Sequence, residues 1–333
     1  NGIEAASPAH EVALADKIAD LTYSDGETTW KLFDGWKFGS QMDAKVVPLT
    51  APEKAASQIT EDDFYDVFWE LDRDSMQTYL DEHPETLANG WAGININESG
   101  LSQSGTSIRT TMGEQVLAVN FREKVLLVRV AGEKYRGVLA VAKVPARLSV
   151  EMSEGLGSYG QTVGEIAEAH GGLLSMTCNG FLDPGGQGNG GELAGFAMSD
   201  GVAYGEHYPY MDEFPYARFE ILTDNTVCIR RSDEEVRADC RDATEFNPAL
   251  IVDGEIIQSN YWTSEAPRAC IGQSSRQEML LLVIEGRMPE SGILGTSVNE
   301  CSAILARHGA VQAMNVDGGT SAIMWYDGQY VTR

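Results

Sequence analysis

Hydrophobic and polar positions follow two different periods along the chain, and the period changes near residue 90. Before this point, apolar residues recur at helical spacing in three segments: 10–21, 59–71 and 75–87. Thr60 is a candidate N-cap for the second of them, and the proline-containing segment 45–57 indicates a linker before it. The pattern therefore predicts a mainly helical N-terminal extension over residues 1–90.

In the second part of the chain, apolar and polar residues alternate in short segments that are typical of strands: 115–121, 124–132, 135–144 and 146–152. Segment 278–286 is almost wholly apolar, as in a strand that is buried on both faces. Helical periodicity returns at 162–172 and 296–309, which both end at glycine, and Asp253-Gly254 is a hairpin signal. We therefore predict an α+β (mixed α/β) fold for residues 91–333, with a mixed β-sheet and a few packed helices.

Composition restricts the classes of partner. Hydrophobic residues make up 43% of the 333 residues, which is enough for a substantial core. Acidic residues number 50 against 24 basic ones, and the net charge of -26 argues against nucleic acid as a partner. The sequence has no apolar run long enough to span a membrane. Because the chain begins at Asn1 rather than at methionine, a processed protein is expected, with its signal peptide or anchor removed.

The five cysteines leave at least one thiol unpaired. Cys228 and Cys240 flank a charged, turn-like segment and are candidates for a local disulfide bond. Cys178, Cys270 and Cys301 lie in apolar surroundings, which is typical of buried free thiols. The spacing of cysteines and histidines does not indicate a zinc site.

The loop DPGGQGNGG, residues 183–191, contains the spacing G-x-G-x-x-G. A dinucleotide-binding loop with this spacing opens a helix, whereas segment 192–205 alternates and breaks at glycines like a hairpin. We therefore expect the glycines to shape the wall of a pocket. Oxygen atoms of Asp183, Asn189 and Glu192 could hold calcium, although their spacing matches no calcium loop of known ligand order. No other metal or cofactor is predicted.

Four polar residues lie at the ends of apolar segments beside glycine or in short loops: Asp183, Arg268, Glu285 and Asp317. Taken singly, each is a normal turn residue. Their combination with Gly318, Gly319, Thr320 and Ser321 indicates a site that cleaves a glycosidic bond. One carboxyl would protonate the leaving oxygen, and another would hold water or the anomeric carbon. Arginine, with its planar fork of donors, suits a phosphate or carboxylate of the substrate.

The motifs around these residues resemble those of the phosphodiester glycosidase family. The matching segments, in the family's order, are CNGFLDPGGQGNGG (178–191), NPALIVDG (247–254), APRACIGQ (266–273), LLLVIEGR (280–287), the helix 295–313 and AMNVDGGTSAIMW (313–325). The resemblance covers residues 126–333 and is closest to the bacterial branch associated with exopolysaccharide. It implies a hydrolase that cleaves a sugar phosphodiester at the glycosidic carbon, in the extracellular space or at the cell surface.

The resemblance also assigns roles. Arg268 would grip the phosphate, and Asp317 and Glu285 would be the acid and base, in an order that the sequence leaves open. The remaining positions are implied to bind substrate: Asp183, Asn179, Gly318, Gly319, Thr320, Ser321 and Glu192. One departure concerns Cys178, which occupies the family's asparagine position, while Asn179 comes one place late. This departure and the helical extension favour one alternative, a non-catalytic protein for glycan binding or exopolysaccharide assembly. A further alternative is a transferase that moves the glycosyl group to an acceptor rather than to water.

Three of the five histidines lie after residue 90. His170 and His308 each end a predicted helix, where the helix dipole favours a positive charge. His207 lies among aromatic residues, which indicates core packing, with stacking on a sugar as the alternative.

Overall fold

The computed structural model describes residues 22–24, 29–31, 47–50, 61–86, 91–92, 106–184 and 188–332. The chain forms two compact units, Asn1–Ile59 and Thr60–Arg333. In the first unit, β1 (Thr22–Ser24), β2 (Thr29–Lys31) and β3 (Val47–Thr50) pair in that order as an antiparallel sheet. The described residues here are therefore strands where the sequence predicts a helical extension and a linker. The helix predicted at 10–21 lies outside the described residues.

Two helices follow in the second unit, α1 (Glu61–Val67) and α2 (Arg73–Glu82), and they confirm the helical spacing at 59–71 and 75–87. The side chain of Asp72 caps α2 by accepting a hydrogen bond from the Ser75 amide at 2.9 Å. The Asp72 amide donates to the Arg109 carbonyl at 2.9 Å, which ties these helices to the strands that follow. The predicted cap Thr60 lies outside the described residues.

The largest sheet has nine strands in the order β17-β16-β20-β18-β19-β7-β6-β5-β4, and all neighbouring strands are antiparallel. Its strands are β4 (Trp91–Ala92), β5 (Val116–Asn120), β6 (Val125–Ala131), β7 (Arg136–Ala142), β16 (Ala249–Val252), β17 (Glu255–Ile256), β18 (Arg268–Ser274), β19 (Met279–Glu285) and β20 (Ala310–Val316). The turn Asp253-Gly254 joins β16 to β17 with φ values of 50° and 83°, which confirms the predicted hairpin.

Three smaller sheets lie in the same unit. Five strands form the order β12-β11-β15-β13-β14: β11 (Ala197–Ser199), β12 (Val202–Tyr204), β13 (Ala217–Leu222), β14 (Val227–Arg231) and β15 (Cys240–Phe246). The other strands are β8 (Leu174–Met176), which pairs with β21 (Met324–Tyr326) and through it with β22 (Gln329–Tyr330), and β9 (Gly180–Phe181), which pairs with β10 (Leu193–Ala194). Among the described residues the fold is thus mostly β-sheet with a few helices, in line with the predicted α+β class. The predicted mixed sheet is wrong, because all pairings of the nine-stranded sheet are antiparallel.

The nine-stranded sheet is buried on both faces at its centre, where every residue of β18 and β19 is buried. One face packs Ile271 and Val283 against Phe219 of the five-stranded sheet and Met324 of β21. The other face is covered by helix α4 (Val298–Arg307), whose buried residues include Ile304. Full burial of a side chain such as Ile304 contributes about 1.5–3 kcal/mol. The wholly apolar segment of β19 is explained by this packing on both sides.

The C-terminal ends of helices α3 and α4 follow the predicted glycine signals, and the structure adds their N-terminal caps. Helix α3 (Val163–Ala169) begins with a capping box between Thr162 and Glu165 and ends at His170. Helix α4 is capped by Ser297, and it ends at His308 before Gly309, which has φ of 82°. No helix in the described ranges is long and apolar enough to cross a membrane.

All five cysteines are free thiols, so the expected bridge between Cys228 and Cys240 is not present. Cys228 of β14 pairs with Glu220 of β13, and Cys240 of β15 pairs with Leu222 of β13. Strand β13 runs between the two, and neighbouring strands are about 4.7–4.9 Å apart, so the two cysteines are too far apart for a disulfide bond without movement of the backbone.

We predict that Gly295→Ala destabilises the protein far more than Gly292→Ala in the same loop. Both glycines have positive φ, 105° and 71°, so both substitutions incur about 1–2 kcal/mol of backbone strain. A Cβ at Gly295 would also lie 2.3 Å from the backbone of Ala266, whereas nothing lies within 4 Å at Gly292. Chemical denaturation should give a loss of about 3 kcal/mol or more for Gly295→Ala. Equal losses for both variants would contradict the packing described.

Candidate functional site

Three predicted site residues meet at one edge of the nine-stranded sheet. Strand β18 begins at this edge, and β19 and β20 end there, because β18 pairs antiparallel with both. Arg268 lies opposite Ile284, and Ala269 lies opposite Val316. Arg268, Glu285 and Asp317 are therefore brought together from distant parts of the sequence. Since side chains alternate across a sheet, Arg268 shares its face with Ile284, and Glu285 points to the opposite face.

Asp317 follows the last residue of β20 and is half-buried. Its amide donates to the Cys178 carbonyl at 2.9 Å, which joins the end of β20 to the segment before β9. Burial raises the pKa of Asp317 above its usual value, while hydrogen bonds from the Ser321 hydroxyl and the Gly318 amide act in the opposite direction. The carboxyl is thus disposed to hold a proton to higher pH than an exposed aspartate.

Asp317 and Ser321 line a large cavity with a volume of about 1220 Å³. Its other walls come from residues 147–153, helix α3, strand β8 and the loop 188–190. Apolar side chains, such as Met176 and Leu193, and polar side chains line it in similar numbers, and the charged residues Arg147, Glu151 and Glu165 are among them. A large concave site that combines apolar surface with polar groups is typical of small-molecule binding, and this one is unusually rich in polar side chains.

Asn179 also lines this cavity, but its side chain is engaged with the protein. The amide nitrogen Nδ2 donates to the Phe196 carbonyl at 2.9 Å, and Oδ1 accepts from the Thr244 hydroxyl at 2.5 Å. Asn179 therefore fixes the wall of the cavity between β9 and β15. Its neighbour Cys178 is half-buried, and burial raises the pKa of its thiol. This raised pKa keeps the thiol protonated and weakly nucleophilic.

Gly318 and Gly319 meet two different backbone constraints, a close approach at Gly318 and a positive φ at Gly319. A Cβ on Gly318 would lie 3.0 Å from the Pro267 carbonyl oxygen. Gly319 has φ of 63°, and its amide donates to the same carbonyl at 3.0 Å. The two glycines place the following hydroxyl residues, Thr320 and Ser321, in the short helical turn Gly319–Ser321. Thr320 is exposed there.

Arg268 is 5% exposed, and its guanidinium is bonded to backbone carbonyls. Its Nε donates to Thr296 at 3.1 Å, and its Nη2 donates to Trp262 at 3.0 Å and to Ser264 at 2.8 Å. These bonds hold residues 262–264 against the start of α4. Burial lowers the pKa of Arg268, although the group stays charged.

Arg287 is a second arginine at this edge that the sequence analysis did not select. It is exposed, and its Nη2 lies 3.4 Å from the position that a Cβ on Gly319 would take. Within the described part of the chain, its guanidinium forms no hydrogen bond or ion pair. Arg287 could have been selected from the sequence, because it is the last residue of the matching segment LLLVIEGR.

Residues 174–333 match the phosphodiester glycosidase family. This match confirms the resemblance that the motifs carry. It includes Arg268, Glu285 and Asp317, together with the loop that follows β9. The comparison with curated proteins finds no match.

Among solved structures, the zebrafish N-acetylglucosamine-1-phosphodiester alpha-N-acetylglucosaminidase catalytic domain, auto-inhibited by its pro-peptide, is 16% identical with a TM-score of 0.49, and the match covers 62% of this chain and 73% of that one. A hypothetical protein from Synechocystis is 14% identical with a TM-score of 0.40, covering 63% of this chain and 59% of that one. A putative exported protein from Burkholderia pseudomallei is 12% identical with a TM-score of 0.43, covering 99% and 86%.

Glu285, within the region that matches the phosphodiester glycosidase family, is fully buried and ion-paired. Its Oε2 accepts from Arg136 Nε at 2.5 Å, across the pairing of β19 with β7. Glu285 is not among the described residues that line the cavity beside Asp317. The structure thus brings the two predicted carboxyl residues to one edge of the sheet but does not bring both into one cavity.

The glycine-rich loop within the family match has its backbone in close contact with residues 158–159. A Cβ on Gly191 would lie 2.5 Å from the Tyr159 amide nitrogen, and Asn189 Nδ2 donates to the Ser158 carbonyl at 2.7 Å. Asp183 Oδ1 accepts from the Gly188 amide at 2.5 Å, and Glu192 is exposed. Strand β10 follows the loop, as its alternating pattern predicts.

Among the described residues, no group of three or more His, Cys, Asp or Glu could hold a metal ion. The oxygen atoms proposed for calcium at Asp183 and Asn189 are used within the loop itself, by the amides of Gly188 and Gly191.

His207 stacks on Phe196, with 4.2 Å between ring centroids. Phe196 is the residue whose carbonyl accepts from Asn179. The Nδ1 of His207 is 2.8 Å from Glu245 Oε2, and Glu245 is fully buried. His207 itself is exposed, so this contact lies at the surface, and core packing of His207 is not confirmed.

We predict that Glu285→Ala lowers the free energy of unfolding by about 3–5 kcal/mol, because it leaves the Arg136 charge without its buried partner. Glu265→Ala is the matched control, since Glu265 pairs with Lys134 at 2.6 Å where both side chains are about half exposed. An exposed pair of this kind contributes less than about 1 kcal/mol. Urea titration of both variants compares the two pairs. Similar losses would show that the Arg136–Glu285 pair is not a structural one.

Proposed function

We propose that this protein is a hydrolase that cleaves a sugar phosphodiester at the glycosidic carbon, with Asp317 as the catalytic carboxyl. The observation that carries the proposal is the position of Asp317. It extends from the D-G-G-T-S segment into a large cavity, half-buried, with a raised pKa and a hydroxyl donor at Ser321. The family match of residues 174–333 supports the glycosidase class.

In the proposed reaction, the bond between the anomeric carbon and the phosphate oxygen breaks, and water supplies the new oxygen on carbon. Protonated Asp317 gives its proton to the leaving phosphate oxygen, and the attacking water restores that proton. A phosphate monoester is already a stable anion, so this leaving group needs less assistance than an alcohol does. The proposed step therefore assigns proton transfer to one carboxyl, that of Asp317, and Glu285 acts by stabilising the sheet edge.

The phosphate contact is assigned to Arg287 in this proposal. Arg287 is exposed beside Gly319, whereas Arg268, which the sequence favours, is buried and bonded to three carbonyls. An arginine with uncommitted donors can bind a phosphate in the bidentate manner. Arg268 then positions the neighbouring segment, and Thr320 and Ser321 supply hydroxyl donors. An extracellular or cell-surface location and an exopolysaccharide substrate belong to the proposal through the motif resemblance alone.

The second candidate is a non-catalytic glycan-binding protein, and one observation favours it. Glu285 is ion-paired and buried, so the cavity contains Asp317 without the second predicted carboxyl. Such a protein would bind sugar phosphodiesters without turnover.

We predict that Asp317→Asn lowers the release of free sugar from a sugar-1-phosphodiester by about a hundredfold, the low end for a lost general acid, because a phosphate leaving group needs less protonation than an alcohol. Arg287→Ala should raise KM by about tenfold, since a charge-assisted contact to phosphate is removed. Both effects are measured as initial rates with purified folded variants.

Asp327→Asn is the matched control for the catalytic carboxyl. Asp327 also precedes a glycine, but it is exposed in the turn between β21 and β22. Its substitution should leave the rate unchanged. Binding without any turnover by the unmodified protein would establish the non-catalytic alternative.

We predict that Ser321→Ala moves the alkaline limb of the pH–rate profile to higher pH. The Ser321 hydroxyl stabilises the ionised carboxylate and so lowers the pKa of Asp317; its removal raises that pKa further. Because the protonated form is the active one in this proposal, activity falls as pH rises through the pKa, and a higher pKa extends the active range. Initial rates across pH test this. If the acidic limb moves up instead, Asp317 acts as a base.

A further inference from the structure

Trp262 has an unusual backbone conformation for a large residue. Its φ is 51°, in the left-handed region, and its side chain is 41% exposed. A bulky residue rarely adopts this conformation, and backbone strain of this kind is concentrated at functional sites.

The surroundings hold Trp262 firmly. Its carbonyl accepts hydrogen bonds from Arg268 Nη2 at 3.0 Å and from the Val298 amide at 3.1 Å. Its indole Nε1 donates to Asn247 Oδ1 at 2.7 Å. The Arg268 guanidinium lies 5.7 Å from the ring centroid. Because the indole N–H is bonded to Asn247, the polar group of the ring is satisfied within the protein. The exposed part of the indole is therefore its apolar surface.

A series of contacts between aromatic rings, outside the cavity lining, runs from Trp262 to Phe246, which lies near Asp317. Trp262 is 6.0 Å from Phe214, and Phe214 is 5.4 Å from Tyr216. Tyr216 is 6.5 Å from Phe246. A Cβ on Gly180 would lie 3.4 Å from the Phe246 ring and 4.0 Å from the Asp317 carboxyl carbon. We call the rings of Phe246, Tyr216, Phe214 and Trp262 the aromatic row.

We propose that Trp262 is a stacking platform for a ring of a neutral glycan that extends from the Asp317 site along the aromatic row. The apolar face of a sugar ring packs on an aromatic face, while the sugar hydroxyls remain in contact with water and polar groups. A net charge of -26 disfavours a strongly anionic chain at this surface. The inference rests on the proposed function for the kind of ligand, and it adds that the ligand has at least two sugar units.

The test measures binding in the Asp317→Asn background, so that turnover does not enter. The probes are neutral malto-, cello- and chito-oligosaccharides of one to five units. Their binding is measured by calorimetry and by quenching of tryptophan fluorescence. We expect affinity to rise from one unit to two or more for at least one series. Trp262→Asn should weaken that binding by about tenfold, whereas Trp262→Tyr should retain most of it.

Trp262→Asn also separates a binding role from a structural one. Asparagine tolerates left-handed backbone much better than tryptophan does, so the thermal midpoint should stay the same or rise while binding falls. A falling midpoint with unchanged binding would overturn the inference, as would the failure of every probe to bind.

Trp69→Ala is the matched control. Trp69 is also 41% exposed, its Nε1 donates to Glu278 Oε1 at 3.0 Å, and the Arg276 guanidinium lies 4.4 Å from its ring. It lies beside the opposite end of β19 and should not affect binding. If sugar phosphodiesters are not hydrolysed but oligosaccharide binding depends on Trp262, the proposed function fails and this inference stands. If sugar phosphodiesters are hydrolysed but oligosaccharide binding does not depend on Trp262, the proposed function stands and this inference fails.

Discussion

The antiparallel pairing of β18 with β19 on one side and β20 on the other is the constraint on which the site depends. This register places Arg268 opposite Ile284 and Ala269 opposite Val316, so that chain segments distant in sequence end at one edge. Every residue of β18 and β19 is buried, and a slip of one residue would exchange the two faces of a strand. The apolar packing of both faces therefore fixes the position of Asp317.

Local signals carried most of what the sequence could predict. The glycines that end helices α3 and α4 and the Asp253-Gly254 hairpin depend on neighbouring residues alone, and the structure has all of them. Strands β1 to β3 contain only three or four residues each, which is too short for a period to be recognised. The helical spacing found in that part of the chain is confirmed only from Glu61 onward.

The site was predictable as a set of positions but not as an arrangement. Asp317 and Ser321 were found because the motif contains them, and they line the same cavity. The partner of Glu285 is Arg136, 149 residues away in the chain, and only the pairing of β19 with β7 brings the two together. Likewise, no local pattern distinguishes Arg268, which is buried, from Arg287, which is exposed. Which face a strand-end residue occupies is decided by tertiary packing.

A buried guanidinium with three carbonyl partners explains how strained backbone can persist at the rim of the site. The bonds from Arg268 to Trp262 and Ser264 are charge-assisted and mostly shielded from water, so they offset the strain of the left-handed residue. The third bond, to Thr296, joins the same segment to the residue before the cap of α4. Helix α4 in turn packs on β18 and β20. Arg268 thus links the sheet and the helix to Trp262 of the aromatic row, and it shapes the site without having to contact a ligand.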